Sequence, residues 1–361
     1  MSSDQNYEWC LIESDPGVFT ELLRGFGAKG VQVEEMYELN QRTLDKLKPM
    51  HGLIFLFKVI PGSDYSDGTL LQDEKILSEI FFAKQIVKNA CGTQALISIL
   101  MNCNHEDLQI GQALTEYKEA NKCADAHTRG IALANNETIR TVHNSFAPQD
   151  LALREGYNRN QSSYHFTSYF PFAGRVIEMD GRKEGPYDLG PIGAGEDWRL
   201  LACSAISKRM RKYHGRDIDF NVLALISDQL AIHTARLEMA VQHKDETPWL
   251  ISSLHELIDD EKDKMEQYKK DNIRRRHQYL PLIMDILTAL AEQGKLVERF
   301  EVAKLKSVRH SYMIRSSHDG SSSDGSSSMG SSSSSSSSSS QRSSSTAEIN
   351  TERESSEEDM D

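Results

Sequence analysis

A mixed fold of strands and helices, α/β or α+β, is predicted from Trp9 to about Asp228 by two observations. Short apolar runs of strand length alternate there with segments of helical period, and 38% of the 361 residues are hydrophobic, enough to close a sizeable core. A third observation marks where that fold stops. Beyond Asp228 the strand-like runs give way to long helical segments, and beyond about Arg315 the apolar residues run out. Residues 1–228 therefore read as a globular body, 229–312 as a helical extension and 313–361 as a Ser-rich acidic tail that has too little to bury and is expected to be disordered.

Each element has a local cause. "DPGVFTELLRGFG" (Asp15 to Gly27) reads as a helix because Asp15 suits the N-cap, Pro16 the first helical position and Gly27 the stop. "GLIFLFKVI" (Gly52 to Ile60) is a continuous apolar run, a strand candidate far short of the ~20 residues that span a bilayer. In "NACGTQALISIL" the recurrence of Ala95, Leu96, Ile99, Leu100 and Cys103 predicts a buried helix, with Cys91 in or just before its first turn. "NNETIRTVHNSF" is a further helix capped near Asn136. Phe146 to Tyr164 is a polar connection, long for a compact domain, and it reads as a lid, a binding loop or a floppy insert. "YHFTSYF" (Tyr164 to Phe170), "RVIEMD" (Arg175 to Asp180) and "IDFNVLALI" (Ile218 to Ile226) complete the strand candidates. In the extension, Leu250, Leu254, Leu257, Ile258, Met265 and Tyr268 share one helical face, and "LPLIMDILTALAEQGKL" repeats the pattern until Gly294. Such a stripe either docks back on the body or receives a partner helix.

Charge and cysteine usage exclude several classes. The net charge of −13 is concentrated in Ser316 to Asp361, which holds nine acidic and two basic residues, so the body is only mildly acidic. A nucleic-acid-binding face is not expected, and a basic protein partner is compatible with this balance. The N-terminal segment lacks the charged start and apolar core of a signal peptide, so an intracellular protein with no membrane attachment is expected. The five cysteines are widely spaced with no CxxC pair, so neither a disulfide framework nor a zinc site is expected, and no cofactor is implied.

Cys91 is the residue with chemistry to explain. Unpaired N–H groups and the positive end of a helix dipole favour a thiolate at a helix N-terminus, whereas Cys103, on the apolar face, reads as core. Gly92 beside it leaves room for a substrate backbone. A thiolate needs a histidine to shuttle its proton, a group to orient that histidine, and donors for an oxyanion. His165 and Asp180 lie on two strands joined by a tight turn at Pro171 to Gly174. If the turn centres on Phe172 and Ala173 the two residues are directly paired; if it centres on Ala173 and Gly174 they are diagonal neighbours. Either way they share a face, ~5 Å apart directly or ~7 to 8 Å on the diagonal. The blander alternative is a hydrogen-bonded strand histidine and an aspartate that merely opens the turn at "MDG". Gln85, six residues before Cys91, is a candidate oxyanion donor.

Taken in order, Gln85, "NACGTQA" (Asn89 to Ala95), "HNSFA" (His143 to Ala147), "YHFTSY" around His165 and "MDGRKEGP" around Asp180 closely resemble the ubiquitin C-terminal hydrolase family of cysteine proteases. The resemblance covers roughly Trp9 to Asp228. It implies an α+β, papain-like core with a central antiparallel sheet flanked by helices and a knotted backbone. It implies Cys91 as nucleophile, His165 as general base and acid, Asp180 as the residue that orients the histidine and Gln85 as the oxyanion-hole side chain. "APQDLALREGYNRNQSS" matches the family's active-site crossover loop, beneath which the ubiquitin tail passes. Tyr268 to Leu296 resembles the extension by which the long members bind a proteasomal ubiquitin-receptor subunit. A chromatin-remodelling complex is a further partner on the same basis, with action in cytoplasm and nucleus. "RRRH" (Arg274 to His277) reads as a nuclear-import patch or, more ordinarily, as a solvated helical face. Two rival functions remain: a non-catalytic ubiquitin-binding adaptor, and a papain-like protease of other specificity.

Overall fold

The computed structural model describes residues 9–59, 66–147, 164–213, 220–242 and 248–306. The first helix, α1 (Pro16–Gly25), starts as its sequence dictates: the Asp15 carboxylate accepts from the N–H groups of Gly17 and Val18, Pro16 occupies the first turn, and Gly27 leaves the helix at φ +85°. Helix α2 (Gln41–Lys46) precedes the central strand, and α3 (Glu74–Glu79) precedes the segment that leads to Cys91. Then come α4 (Cys91–Asn102), α5 (Gln112–Ala120), α6 (Ala126–Ala134) and α7 (Glu137–Asn144). Helix α7 is capped by Asn136, as its sequence predicts.

Strands β1 (Val31–Glu35), β2 (Met50–Lys58), β3 (Thr69–Leu70), β4 (Tyr164–Phe172), β5 (Arg175–Met179), β6 (Tyr187–Pro191) and β7 (Asn221–Ser227) form one sheet in the order β1-β7-β2-β4-β5-β6-β3. Every pairing is antiparallel. The central strands are buried on both faces, which is why "GLIFLFKVI" has no polar alternation. Ile54 joins a core with Phe19, Leu96 and Ile99 of α1 and α4. Its neighbours Leu53 and Phe55 join a second core with Leu44 of α2 and with Ala202 and Ile206 of α8 (Trp198–Arg211). The sheet is thus an α+β layer with helices on both sides.

β1, β3 and β6 are not among the strands the sequence singles out. β3 has only two residues, and β6, "YDLGP", has no apolar alternation and stays half-exposed. Cys103 also differs in detail from expectation: it terminates α4 as the C-cap and is half-buried, with burial pushing its thiol up to about 11. Residues 148–163, the bulk of the long connection, and the Ser-rich tail lie outside the described residues. Among the described residues no helix is long and apolar enough to cross a membrane.

The extension begins with α9 (Gln229–Gln242) and α10 (Pro248–Arg276), which belong to the same compact unit as the sheet, and α10 packs on α1. The absent side chain of Gly17 is the socket for Tyr268, whose ring carbon stands 2.9 Å from where a Cβ would be. Asn272 is buried and donates to the Gly17 carbonyl at 2.9 Å and to Glu21 at 2.6 Å. Arg275 binds Glu13 and the Asp15 cap, and Arg276 binds Glu21. Two arginines of "RRRH" are thereby committed inside the chain rather than forming a solvated face. A further helix, α11 (Leu280–Glu292), follows.

Removing the Asn272 amide takes a buried donor from the Gly17 carbonyl and from Glu21 in the α1–α10 seam. Asn272→Ala is expected to lower unfolding stability by about 2 kcal/mol, read from the urea midpoint.

Candidate active site

Cys91 is the first residue of α4. No side chain caps this helix, so the amides of its first turn are left facing the thiol without the usual acceptor. Its start is held from two directions. Asn89 takes a left-handed φ of +67°, tolerable for asparagine, and its Nδ2 donates to the Trp9 carbonyl at 3.0 Å. One turn into the helix, Thr93 Oγ1 lies 2.8 Å from Nδ1 of the buried His143, whose Nε2 lies 2.7 Å from the Cys10 carbonyl. A carbonyl only accepts, so Nε2 carries the hydrogen and Nδ1 accepts from Thr93. Burial keeps that ring neutral, pulling its pKa down to about 4.

The β4–β5 hairpin turns on Ala173 and Gly174, both at positive φ, and its ladder runs Phe172↔Arg175 to Ser168↔Met179. Of the two registers the sequence allows, this is the one that makes Asp180 the diagonal neighbour of His165. Asp180 lies just past the strand end, and its Oδ1 meets His165 Nε2 at 2.7 Å. The pair is buried, with His165 3% and Asp180 5% exposed. Asp180 opens a turn as well, accepting from the Arg182 N–H at 2.9 Å, so the same carboxylate serves the turn and the histidine.

Because the carboxylate can only accept, Nε2 of His165 carries a hydrogen toward it and Nδ1 remains for the thiol. Cys91 is a hydrogen-bonding partner of this imidazole. Burial opposes the charged ring, yet the bonds from Asp180 and Cys91 outweigh it and raise the His165 pKa to about 8. For Asp180, too, burial works against the charge, but His165 and the Arg182 amide hold the carboxyl below its usual range.

Gln85 sits on the lead-in segment, tied to both sides of the site. Its backbone N–H donates to the Gly181 carbonyl at 2.7 Å, and the Lys84 ammonium donates to the Lys183 carbonyl at 2.7 Å. On the helix side, Gln94 donates to the Ala83 carbonyl at 2.6 Å, and Asn102 brackets Phe81 with bonds to both its N–H and its carbonyl. The Gln85 side chain spends one Nε2 hydrogen on the Val87 carbonyl at 3.1 Å, and its Oε1 is buried without a partner among the described residues. The other Nε2 hydrogen has no acceptor among the described residues.

Gly92 differs from expectation. A Cβ there would meet Ile12, Phe19 and Phe166 at 3.0 to 3.3 Å, so the glycine serves close packing of α4 on the core rather than approach by a substrate. Thr93, Gln94, His143 and Asn102 carry the site's supports and are absent from the sequence-derived set. For Thr93, Gln94 and Asn102 the signal was a cluster of polar residues on one helix whose apolar positions demand burial; His143, on α7, had no such local signal. Among the described residues no group of three or more His, Cys, Asp or Glu side chains is placed to hold a metal ion. Two surface hollows, of about 420 and 530 Å³, are lined by none of the four candidate residues.

Residues 9–211 match the family model described as ubiquitin carboxyl-terminal hydrolase, family 1, and residues 251–296 match a second model described as ubiquitin carboxyl-terminal hydrolases. The chain belongs to the ubiquitin carboxyl-terminal hydrolase family. It is 42% identical over 310 residues to the ubiquitin carboxyl-terminal hydrolase ubh-4 of Caenorhabditis elegans, covering 83% of this chain and 94% of that one. To the isozyme L5 of Dictyostelium discoideum it is 34% identical over 339 residues, covering 83% and 96%. The solved structure of Trichinella spiralis UCH37 bound to ubiquitin vinyl methyl ester matches with a TM-score of 0.60 and 36% identity, covering 72% of this chain and 99% of that one. This hydrolase is therefore a cysteine-type deubiquitinating enzyme.

Since Asp180 contributes to holding His165 near 8, Asp180→Asn is expected to shift the alkaline limb of the hydrolase's pH–rate profile toward acid. It should also lower kcat by about 10² or more, measured on a ubiquitin C-terminal fluorogenic amide between pH 5 and 10.

Proposed function

We propose that Cys91, His165, Asp180 and Gln85 carry the hydrolysis of the bond after ubiquitin's C-terminal glycine. The observation behind this is the buried 2.7 Å bond from Asp180 to His165, whose other ring nitrogen is left to the thiol at the start of α4. Cys91 as thiolate attacks the glycine carbonyl, forming a tetrahedral intermediate whose oxyanion is held by the Cys91 N–H and by Gln85 Nε2. The His165 imidazolium protonates the leaving amine, giving an acyl-enzyme on the sulfur. Neutral His165 then takes a proton from water, whose oxygen attacks the thioester and releases ubiquitin's carboxylate. Asp180 keeps the ring in one tautomer throughout. Cys91→Ala is expected to abolish both turnover of a ubiquitin C-terminal fluorogenic amide and covalent labelling by ubiquitin vinyl methyl ester, with ubiquitin binding kept. Undiminished turnover overturns the assignment.

The extension is proposed as the docking element for a proteasomal ubiquitin-receptor subunit, with a chromatin-remodelling complex as a second host; work in cytoplasm and nucleus goes with those partners. Support comes from the second family match, at 251–296, and from the apolar stripe of α11, where Leu282, Ile283, Ile286 and Leu287 are exposed. Ile286→Glu in the full chain is expected to cut co-sedimentation with purified proteasomes at least about ten-fold, a loss of roughly 1.4 kcal/mol. Unchanged co-sedimentation removes this docking site.

A further inference from the structure

Behind the His165–Asp180 pair lies a second buried charged group that no step of the hydrolysis uses. Glu178 precedes Asp180 by two residues and shares its face of β5. It is 2% exposed, and its Oε1 meets Nη1 of Arg209, from α8, at 3.1 Å. The same Nη1 donates to the Tyr169 hydroxyl at 3.2 Å, while Ser66 donates to the other Glu178 oxygen at 3.0 Å. Arg209 is itself 5% exposed, and its Nε has no acceptor among the described residues. A cation is thus kept in the interior with part of its hydrogen-bonding capacity unused.

Its flat face is used. The guanidinium carbon stands 3.9 Å over the ring of Phe57, and Phe57 is the direct cross-strand partner of His165 in the β2–β4 ladder. The phenyl ring meets the imidazole edge to face, with centroids 5.7 Å apart and planes at 89°. Guanidinium, phenyl and imidazole are thus in consecutive contact, the first over the face of the phenyl ring and the third at right angles to it.

The charge has a consequence during turnover. Burial favours the protonated form of both carboxyls, and each carboxylate raises the other's proton affinity further. The imidazolium offsets that penalty only while His165 is charged. Once His165 has protonated the leaving group, Asp180 faces a neutral ring, and Arg209 remains as a positive charge acting on both carboxylates, with Lys183, over the Tyr187 ring, acting on Glu178 as well. Arg209 cannot release its proton: burial works against its charge, but Tyr169, Glu178 and Asp180 outweigh it and hold its pKa even above the arginine value.

We infer that Arg209 is a positioning residue of the hydrolase: a fixed interior cation that keeps Asp180 a carboxylate through the neutral-imidazole stage and, through Phe57, holds the plane of His165. It acts on the reaction only through those two residues, and it rests on the roles proposed for them.

A role confined to neutralising Glu178 is separated from this by working in the Glu178→Gln background, where no counter-ion is needed. There, adding Arg209→Met is expected to lower kcat about ten-fold or more with KM within about two-fold. The acid limb of the pH–rate profile on a ubiquitin C-terminal fluorogenic amide should move to higher pH, because a carboxyl that loses a nearby cation protonates more readily. Arg209→Lys in the same background keeps the charge and should return the acid limb to its place. Thermal unfolding is followed for each variant. Equal kcat and equal profiles with and without Arg209→Met overturn the inference; so does a displaced acid limb in the folded lysine variant, which decides the matter should the methionine variant unfold. If Asp180→Asn leaves turnover intact, the roles of His165 and Asp180 fail. If it impairs turnover while Arg209→Met in the Glu178→Gln background does not, only the role of Arg209 fails.

Discussion

The register of the β4–β5 hairpin is the constraint from which the active site follows. A slip of one residue would move His165 to the opposite face of β4, and the slip is prevented from both sides of the sheet. Phe166, Phe170 and Ile177 are committed to the core shared with α4, and Tyr169 and Val176 to the core shared with α8. Burial of both faces makes every alternative pairing cost several buried side chains at once. The 2.7 Å bond at the open end of the hairpin is therefore set by apolar packing along its length.

Two buried histidines show how partners decide protonation in the same protein. Burial drives the His143 pKa down to about 4, because its neighbours are only a hydroxyl and a carbonyl and the carbonyl's pull toward the charged ring is too small to offset it. His165 is just as deeply buried but faces a carboxylate and a thiol, and its pKa rises to about 8. The first ring can only be a strut, joining the Trp9–Cys10 segment to α4. The second is poised to gain and lose a proton near neutrality.

Much of this was legible in the sequence. Asp15, Pro16 and Gly27 announce α1, Asn136 announces α7, and the sequence pattern places Cys91 at the start of a buried helix. The hairpin left two registers open, since "PFAG" permits either pair of central residues; the positive φ of Ala173 and Gly174 decides between them, and a sequence does not declare an alanine in that conformation. Gly92 misled because a small residue beside a candidate nucleophile looks the same whether substrate or core fills the space. Arg209 gave no signal: it ends a helix rich in basic residues, and nothing local marks one arginine of "SKRMR" as interior. Its place depends on a strand distant in sequence.

The seam between α1 and α10 bears on how far the chain can be divided. Asp15 caps α1 with one carboxylate oxygen and binds Arg275 with the other, Asn272 takes up the Gly17 carbonyl, and Tyr268 fills the space a side chain at Gly17 would need. A chain shortened at Asp228 would keep every candidate catalytic residue but lose the complement of α1's outer face, leaving Asp15, Glu21 and the hollow at Gly17 without their partners. The extension is in this respect a structural wall of the enzyme.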